Sequence, residues 1–389
     1  MNLEAILPQY NDEIKLCAAF LTSFIITYFS IPIVVKVSLA KRLFDIPNGR
    51  TSHKHATPTL GGIAMFAGVL ISSLLFVDSS EVSVFQYVIA GSFILFFFGI
   101  QDDLTPLKWR MKIFGEVLAA FSLIVLADFR ITDLQGILGI HHIDYLSSTI
   151  LTLFVMIGIV NAMNLIDGID GLAAGISFMA TCIFGLWFFM TGQGALAILS
   201  ISVTGMLIAY LGYNVYGIKN KIFMGDTGAL LLGYLMTIFV IALNRYPIAA
   251  ESPWHINNVP VISFSILFIP FFDTLRVMTS RMIKGKSPFT ADHNHIHHQI
   301  LDLGFSHGQT TLILLLTNGL IILLVFMLQN LEIHLLMLVV LSLGIIKSLI
   351  PAYIGRHWHY QKQKILPTFK NVSKKVAKSI KQTDIRMRN

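Results

Sequence analysis

Charge is what this sequence has least of. Asp, Glu, Lys and Arg make up 13% of its 389 residues, against roughly 25% in ordinary soluble domains. With 55% hydrophobic residues and a mean hydropathy of +0.72, that scarcity excludes a water-soluble globular fold. Cysteine is scarce too. Cys17 and Cys182 stand far apart in separate apolar runs, which argues against a disulfide framework or a zinc-thiolate cluster. The stretch from Met1 to Asp12 has no basic region and no small-residue cleavage site, so no removable signal peptide is expected. The formal net charge of +7 resides in loops and a tail, the pattern a membrane protein uses for orientation. Nucleic acid is not an expected partner.

Long apolar runs are what the chain does have. Windows of about 20 apolar residues mark eleven candidate spans, roughly 14–39, 58–77, 85–101, 111–127, 148–166, 171–191, 195–216, 227–246, 260–282, 310–328 and 332–354. The fourth and fifth are separated by a long mixed segment, Asp128 to Ser148. The expectation is an all-α integral membrane protein: a polytopic domain over 1–354 and a basic tail over 355–389. Lys41, Arg42, Arg50 and Lys54 follow the first span, Lys108 and Arg110 the third, Lys219 and Lys221 the seventh, and Arg281, Lys284 and Lys286 the ninth. The opposite loops hold only Lys15, Arg130 and Arg245. Positive residues mark the inner side, so the N-terminus is expected outside and the tail in the cytoplasm. An odd number of spans agrees with this. The tail is expected to bind anionic headgroups or to stay disordered.

Polar clusters interrupt these runs on the expected cytoplasmic side. The principal one is Asn161-Ala-Met-Asn-Leu-Ile-Asp-Gly-Ile-Asp-Gly-Leu172. Asn161, Asn164 and Asp167 recur every third residue, so on a helix they share a face. Gly168 and Gly171 loosen the backbone and bring Asp170 alongside. Two amides and two carboxylates at the end of an apolar segment are costly unless they meet water, a cation or a polar ligand. This stretch reads as the floor of an active site.

Three further stretches accompany it. Asp102-Asp103 ends the third span; the pair is either a solvated helix end or a site where repelling carboxylates meet a cation. Lys112, about two and a half helical turns on, favours a chemical role. Phe223-Met-Gly-Asp226-Thr-Gly228 sets a carboxylate between glycines at the mouth of a span, which suits a hard cation such as Mg²⁺. Phe223 is either a base-stacking ring or a packing aromatic. Asp292-His-Asn-His-Ile-His-His298 holds four histidines within six residues, and anion or sugar binding is preferred there to zinc. The turn-rich loop Pro47 to Gly62, with His53 and Lys54, is either an orientation signal or a grip on phosphate. Asp273, near Pro270, is either paired with Arg276 or catalytic.

Taken together these strings resemble the polyprenyl-phosphate N-acetylhexosamine-1-phosphate transferase family, from about Pro47 to His307. His295-Ile-His-His298 looks like the branch that uses UDP-N-acetylglucosamine; the branch that transfers phospho-MurNAc-pentapeptide usually shows three consecutive histidines. The resemblance implies a bacterial enzyme of the inner (cytoplasmic) membrane with its site facing the cytoplasm. Its partners would be a UDP-amino-sugar and a polyprenyl phosphate lipid, and a homodimer is allowed. Asp226 and Asn164 would hold Mg²⁺, or Mn²⁺ in its place. Asp102 would deprotonate or orient the lipid phosphate with support from Asp103, and Lys112 would contact the pyrophosphate. Phe223 would stack on uracil and Asp170 bond its edge, with Asn161 and Asp167 as further nucleotide-side candidates. His295, His297 and His298 would engage sugar or phosphate. His293 replaces the lysine or arginine common at its position. A secondary transporter is the rival from another class, but the acids cluster at one expected face and no internal repeat is visible. A purely structural membrane protein leaves the polar run 161–170 unexplained.

Overall fold

The computed structural model describes residues 12–45, 57–78, 82–246, 248–287, 294–351 and 353–354. His53, Lys54, Asp292, His293 and the tail 355–389 lie outside them. The chain is mostly helical. In order it forms α1 (Asp12–Lys41), β1 (Phe44–Asp45), β2 (Thr57–Pro58), α2 (Gly61–Phe76), α3 (Val82–Leu104), α4 (Trp109–Phe121), β3 (Asp133–Ile137), β4 (Ile140–His142) and α5 (Tyr145–Ile166). There follow α6 (Leu172–Met190), α7 (Gly194–Tyr216), α8 (Gly225–Arg245), α9 (Val259–Ile266), α10 (Phe268–Ile283), α11 (Ile296–Asp302), α12 (His307–Met327) and α13 (Ile333–Pro351).

Among the described residues eight helices are long and apolar enough to cross a membrane, and nine if the bent pair α9–α10 counts as one span. The remaining two expected segments are helical but short. α2 has 16 residues, and α4 has 13 before it runs into a π-helical turn over Ser122–Leu126. This agrees with the expected all-α membrane class; the strands form only two small antiparallel ribbons among the described residues, β1 with β2 and β3 with β4. The second ribbon occupies the mixed segment between α4 and α5. Its hairpin ends at Asp144, whose carboxylate caps α5 by accepting from the Leu146 and Ser147 amides.

Helix α8 is the centre of the bundle, buried from Thr227 to Leu243. A helix this enclosed must be apolar all round, and it takes close neighbours through glycines. A Cβ on Gly99 of α3 would stand 2.4 Å from the Thr227 Cα. One on Gly62 of α2 would stand 2.3 Å from the Gly228 amide, and one on Gly233 2.5 Å from the Val160 Cα of α5. The α9–α10 bend of 88° frees backbone groups that have no water to turn to in a membrane. Asn318 of α12 meets them, accepting from the Ile269 amide and donating to the Ile266 carbonyl.

The contact at Gly99 is testable. Gly99→Val forces side-chain atoms into α8 and is expected to cost about 1–3 kcal/mol, lowering the thermal midpoint of the purified protein. Gly212→Ala, which has open space around it, leaves the midpoint nearly unchanged.

Candidate active site

A cavity of about 690 Å³ opens where the ends of α3 and α5 meet the start of α8. Five carboxylates line it: Asp102, Asp103, Asp167, Asp170 and Asp226. Each is placed by a separate local cause.

The N-terminus of α8 has no capping side chain of its own. Asp103 supplies one from α3, accepting from the Asp226 amide (2.7 Å), the Thr227 amide (3.1 Å) and the Thr227 hydroxyl (2.6 Å). Its carboxylate is thereby spent on orphan helix amides. The backbone reaches this point through Gly225 at φ +66°, where a Cβ would fall 2.2 Å from the Thr59 carbonyl oxygen. The approach to α8 is stitched down by the end of the first loop: Phe223 N donates to Pro58 O, Gly61 N to Phe223 O and Gly62 N to Met224 O. The Phe223 ring is thereby set at the cavity wall.

Asp226 projects from the first turn of α8. Its Oδ1 accepts from Asn164 Nδ2 at 2.6 Å and from Lys112 Nζ at 3.1 Å. Lys112 also forms an ion pair with Asp102, whose Oδ1 accepts from the Leu107 amide at 2.6 Å. Asp102, Lys112, Asp226 and Asn164, drawn from four helices, therefore form one connected polar chain.

The loop between α5 and α6 carries the other two acids. Gly171 starts α6 at φ +75°, and its amide donates to Asn214 Oδ1, while Asn214 Nδ2 donates to the Ile222 carbonyl. This buried amide fastens the loop to the segment leading to Phe223. Asp170 Oδ2 accepts from Lys221 Nζ at 2.6 Å and lies 3.6 Å from His307 Nδ1. Burial by itself would raise its pKa, but His307 and Lys221 outweigh that and hold the carboxyl below its usual value. Asp167 is in the opposite position. Burial, then the charges of Asp226, Asp103 and Asp170, push its pKa well above the carboxylate range.

The histidines divide. His298 and His307 line the cavity. His297 is buried, stacked on His295 and tilted against His298, with Nε2 facing Gly168. Burial brings its pKa down to about 3, so the ring stays neutral. His295 is turned away from the cavity: its Nδ1 meets Asp273 Oδ2 at 2.9 Å. Asp273 also accepts from Arg276 and from the Ile296 amide, so this acid anchors the histidine segment. Asn161 does not reach the cavity either. Its Nδ2 donates to Glu116 Oε2 at 2.7 Å and to the Ile157 carbonyl.

Several lining or bracing residues carried no local signal. Arg42, at φ +60° just beyond α1, lines the cavity, as does His307. Lys221 stands out in the sequence only as one of the basic residues that mark orientation. Glu116 could have been noticed as an acid inside an apolar run, which is a functional or paired residue by default.

Residues 85–244 match the model of glycosyl transferase family 4. An undecaprenyl-phosphate alpha-N-acetylglucosaminyl 1-phosphate transferase of Yersinia pestis is 30% identical over an alignment covering 74% of this chain and 77% of that protein. The chain belongs to glycosyl transferase family 4. Other relatives are a decaprenyl-phosphate N-acetylglucosaminephosphotransferase of Mycobacterium leprae, 30% identical over 79% of this chain and 82% of its own, and a probable undecaprenyl-phosphate N-acetylglucosaminyl 1-phosphate transferase of Bacillus subtilis, 29% identical over 88% and 93%. The family's matched region runs from α3 into α8 and so spans Asp102 to Asp226, the carboxylates of this cavity.

The capping role of Asp103 separates it from Asp102. Asp103→Ala orphans three donors, each costing about 1–3 kcal/mol when left unsatisfied in a buried place, and is expected to lower the thermal midpoint sharply. Asp103→Asn keeps one acceptor oxygen and loses less. Asp102→Asn leaves α8 capped and moves the midpoint least of the three.

Proposed function

We propose that the protein transfers N-acetylglucosamine-1-phosphate from UDP-N-acetylglucosamine to undecaprenyl phosphate, releasing UMP and initiating a cell-envelope polysaccharide. The observation that carries this reading is the polar chain Asp102–Lys112–Asp226–Asn164 at the end of a largely apolar bundle. A soluble nucleotide and a membrane lipid need such a place, open to water on one side and bounded by helices on the other.

In the reaction an oxygen of the lipid phosphate attacks the β-phosphorus of the UDP-sugar. A new P–O bond forms, the bond from the β-phosphorus to the bridging oxygen breaks, and its electron pair leaves with UMP. Both reactants are anions and must be brought together, so charge neutralisation is the main catalytic need. Lys112 supplies one positive charge, and its ion pair with Asp102 fixes where that charge sits. Asp102 then takes the proton of, or orients, the acceptor phosphate. Phe223 offers a face to uracil, with Asp170, Asp167 and the held Lys221 around the base. His298 faces the sugar-phosphate side, with His297 as the neutral ring beneath it.

The residues fit Mg²⁺, with Mn²⁺ as a substitute. The ionised carboxylates that line the cavity repel a pyrophosphate unless a cation joins them. Among the described residues no three His, Cys, Asp or Glu side chains converge into a cage, which matches the way Mg²⁺ is held by one or two carboxylates plus substrate phosphates. Asp226 with Asn164 would hold it, and it would polarise the pyrophosphate. His295 and Asn161 act through Asp273 and Glu116 in this reading, and not by touching nucleotide or sugar.

The lysine and arginine distribution supports eleven spans, an outside N-terminus and a cavity facing the cytoplasm of a bacterial inner membrane. The test uses purified protein, Mg²⁺, undecaprenyl phosphate and a panel of UDP-sugars. UMP release with UDP-N-acetylglucosamine alone is expected, falling by about 10²–10³ in Asp226→Ala and abolished by chelation of the metal. Release only with the MurNAc-pentapeptide nucleotide would assign the protein to that branch. No release from any donor by folded protein would overturn the reading.

A further inference from the structure

A second recess lies outside the reaction cavity, between α12 and α13. It measures about 470 Å³, within the roughly 300–1,000 Å³ typical of ligand pockets. Its walls are isoleucine, leucine, phenylalanine and one proline, with two polar exceptions, Thr317 and Lys347. Leu320, Leu324, Ile346 and Ile350 on its rim are exposed, so the recess opens sideways, where the hydrocarbon of a bilayer would stand.

Lys347 is the anomaly. It lies inside the apolar helix Ile333–Pro351, and four residues, or about 6 Å of helix rise, separate it from Pro351. Among the described residues no carboxylate pairs with it. The acid on that side of the bundle, Asp273, is already occupied by Arg276, His295 and the Ile296 amide. An ammonium group within a membrane span calls for an anionic partner, and here the space around it is shaped for hydrocarbon.

We propose that this groove holds an anionic phospholipid of the surrounding bilayer, with its phosphate on Lys347 and an acyl chain along α12. The acceptor lipid of the reaction is a poorer occupant. Helix α11 divides the two spaces: Ile296 and Ile300, one turn apart, line the groove, while His298 on the other face lines the reaction cavity. A phosphate on Lys347 is on the wrong side of α11 to meet Lys112 and Asp226. A lipid seated there instead packs against the back of the segment that presents His298.

The experiment exchanges purified full-length protein into mixed micelles of phosphatidylglycerol and phosphatidylcholine and measures the retained lipid by mass spectrometry. It is run at about 1 M salt, where screening over ~3 Å suppresses the contribution of the exposed basic tail. Wild type and Lys347→Arg are expected to retain phosphatidylglycerol preferentially, and Lys347→Met to lose about fivefold of that preference. Leu320→Trp, which fills the groove and leaves the lysine in place, is expected to lower retention of both lipids and decides the matter should Lys347→Met fail to fold. Equal preference in wild type and Lys347→Met overturns the proposal. So does displacement of the retained lipid by undecaprenyl phosphate in wild type but not in Lys347→Met, which would make the groove an acceptor route. No nucleotide sugar is present, so the result is independent of the reaction proposed above.

Discussion

The first turn of α8 presents backbone amides in a place where the bundle excludes water, and those amides must be met. Asp103 meets two of them and the Thr227 hydroxyl. This one capping interaction joins α3 to α8, and it can form only because Gly99 and Gly62 let their helices come within contact of α8's backbone. Once α8 is seated, Asp226 emerges beside Lys112 and Asn164. The candidate cavity is thus a consequence of how a buried helix end is satisfied.

The same constraint explains the apparent excess of acids. A membrane bundle tolerates a carboxylate when it has a partner or a task. Asp103 caps a helix, Asp273 anchors the histidine segment, and Glu116 takes Asn161. Asp170 is held by Lys221 and His307. Asp102 and Asp226 share Lys112, so neither is fully neutralised by it. Asp167 has the least compensation, and its pKa rises accordingly. The acids without full compensation are therefore concentrated around the cavity.

Much of this was legible in the sequence. The strings around Asn164, Asp226 and Asp102 announce themselves because polar residues at helical spacing are conspicuous in apolar runs, and the structure gathers them around one cavity. Spacing specifies a face but not a depth. Asn161 shares its face with Asn164, yet it is about 4.5 Å deeper along α5, below the cavity floor, where Glu116 claims it. His295 and His298 come from one cluster but diverge, because α11 begins at Ile296 and turns them to different sides. Arg42 and His307 lie outside any motif, and only the tertiary packing brings them to the cavity. The hydropathy windows found every long helix, but they could not show that the ninth bends by 88° or that α2 stops at 16 residues.

The central claim is that the sugar crosses to the lipid together with its own phosphate. Donor nucleotide radiolabelled at the β-phosphorus tests it most directly. After incubation with protein, Mg²⁺ and undecaprenyl phosphate, the label is expected to partition into the organic phase with the lipid product, leaving unlabelled UMP in water. Label left in water as UDP, with the sugar alone in the lipid, would mean that the sugar–oxygen bond breaks instead. That result would contradict the assignment of Asp102, Lys112 and Asp226 to phosphoryl transfer.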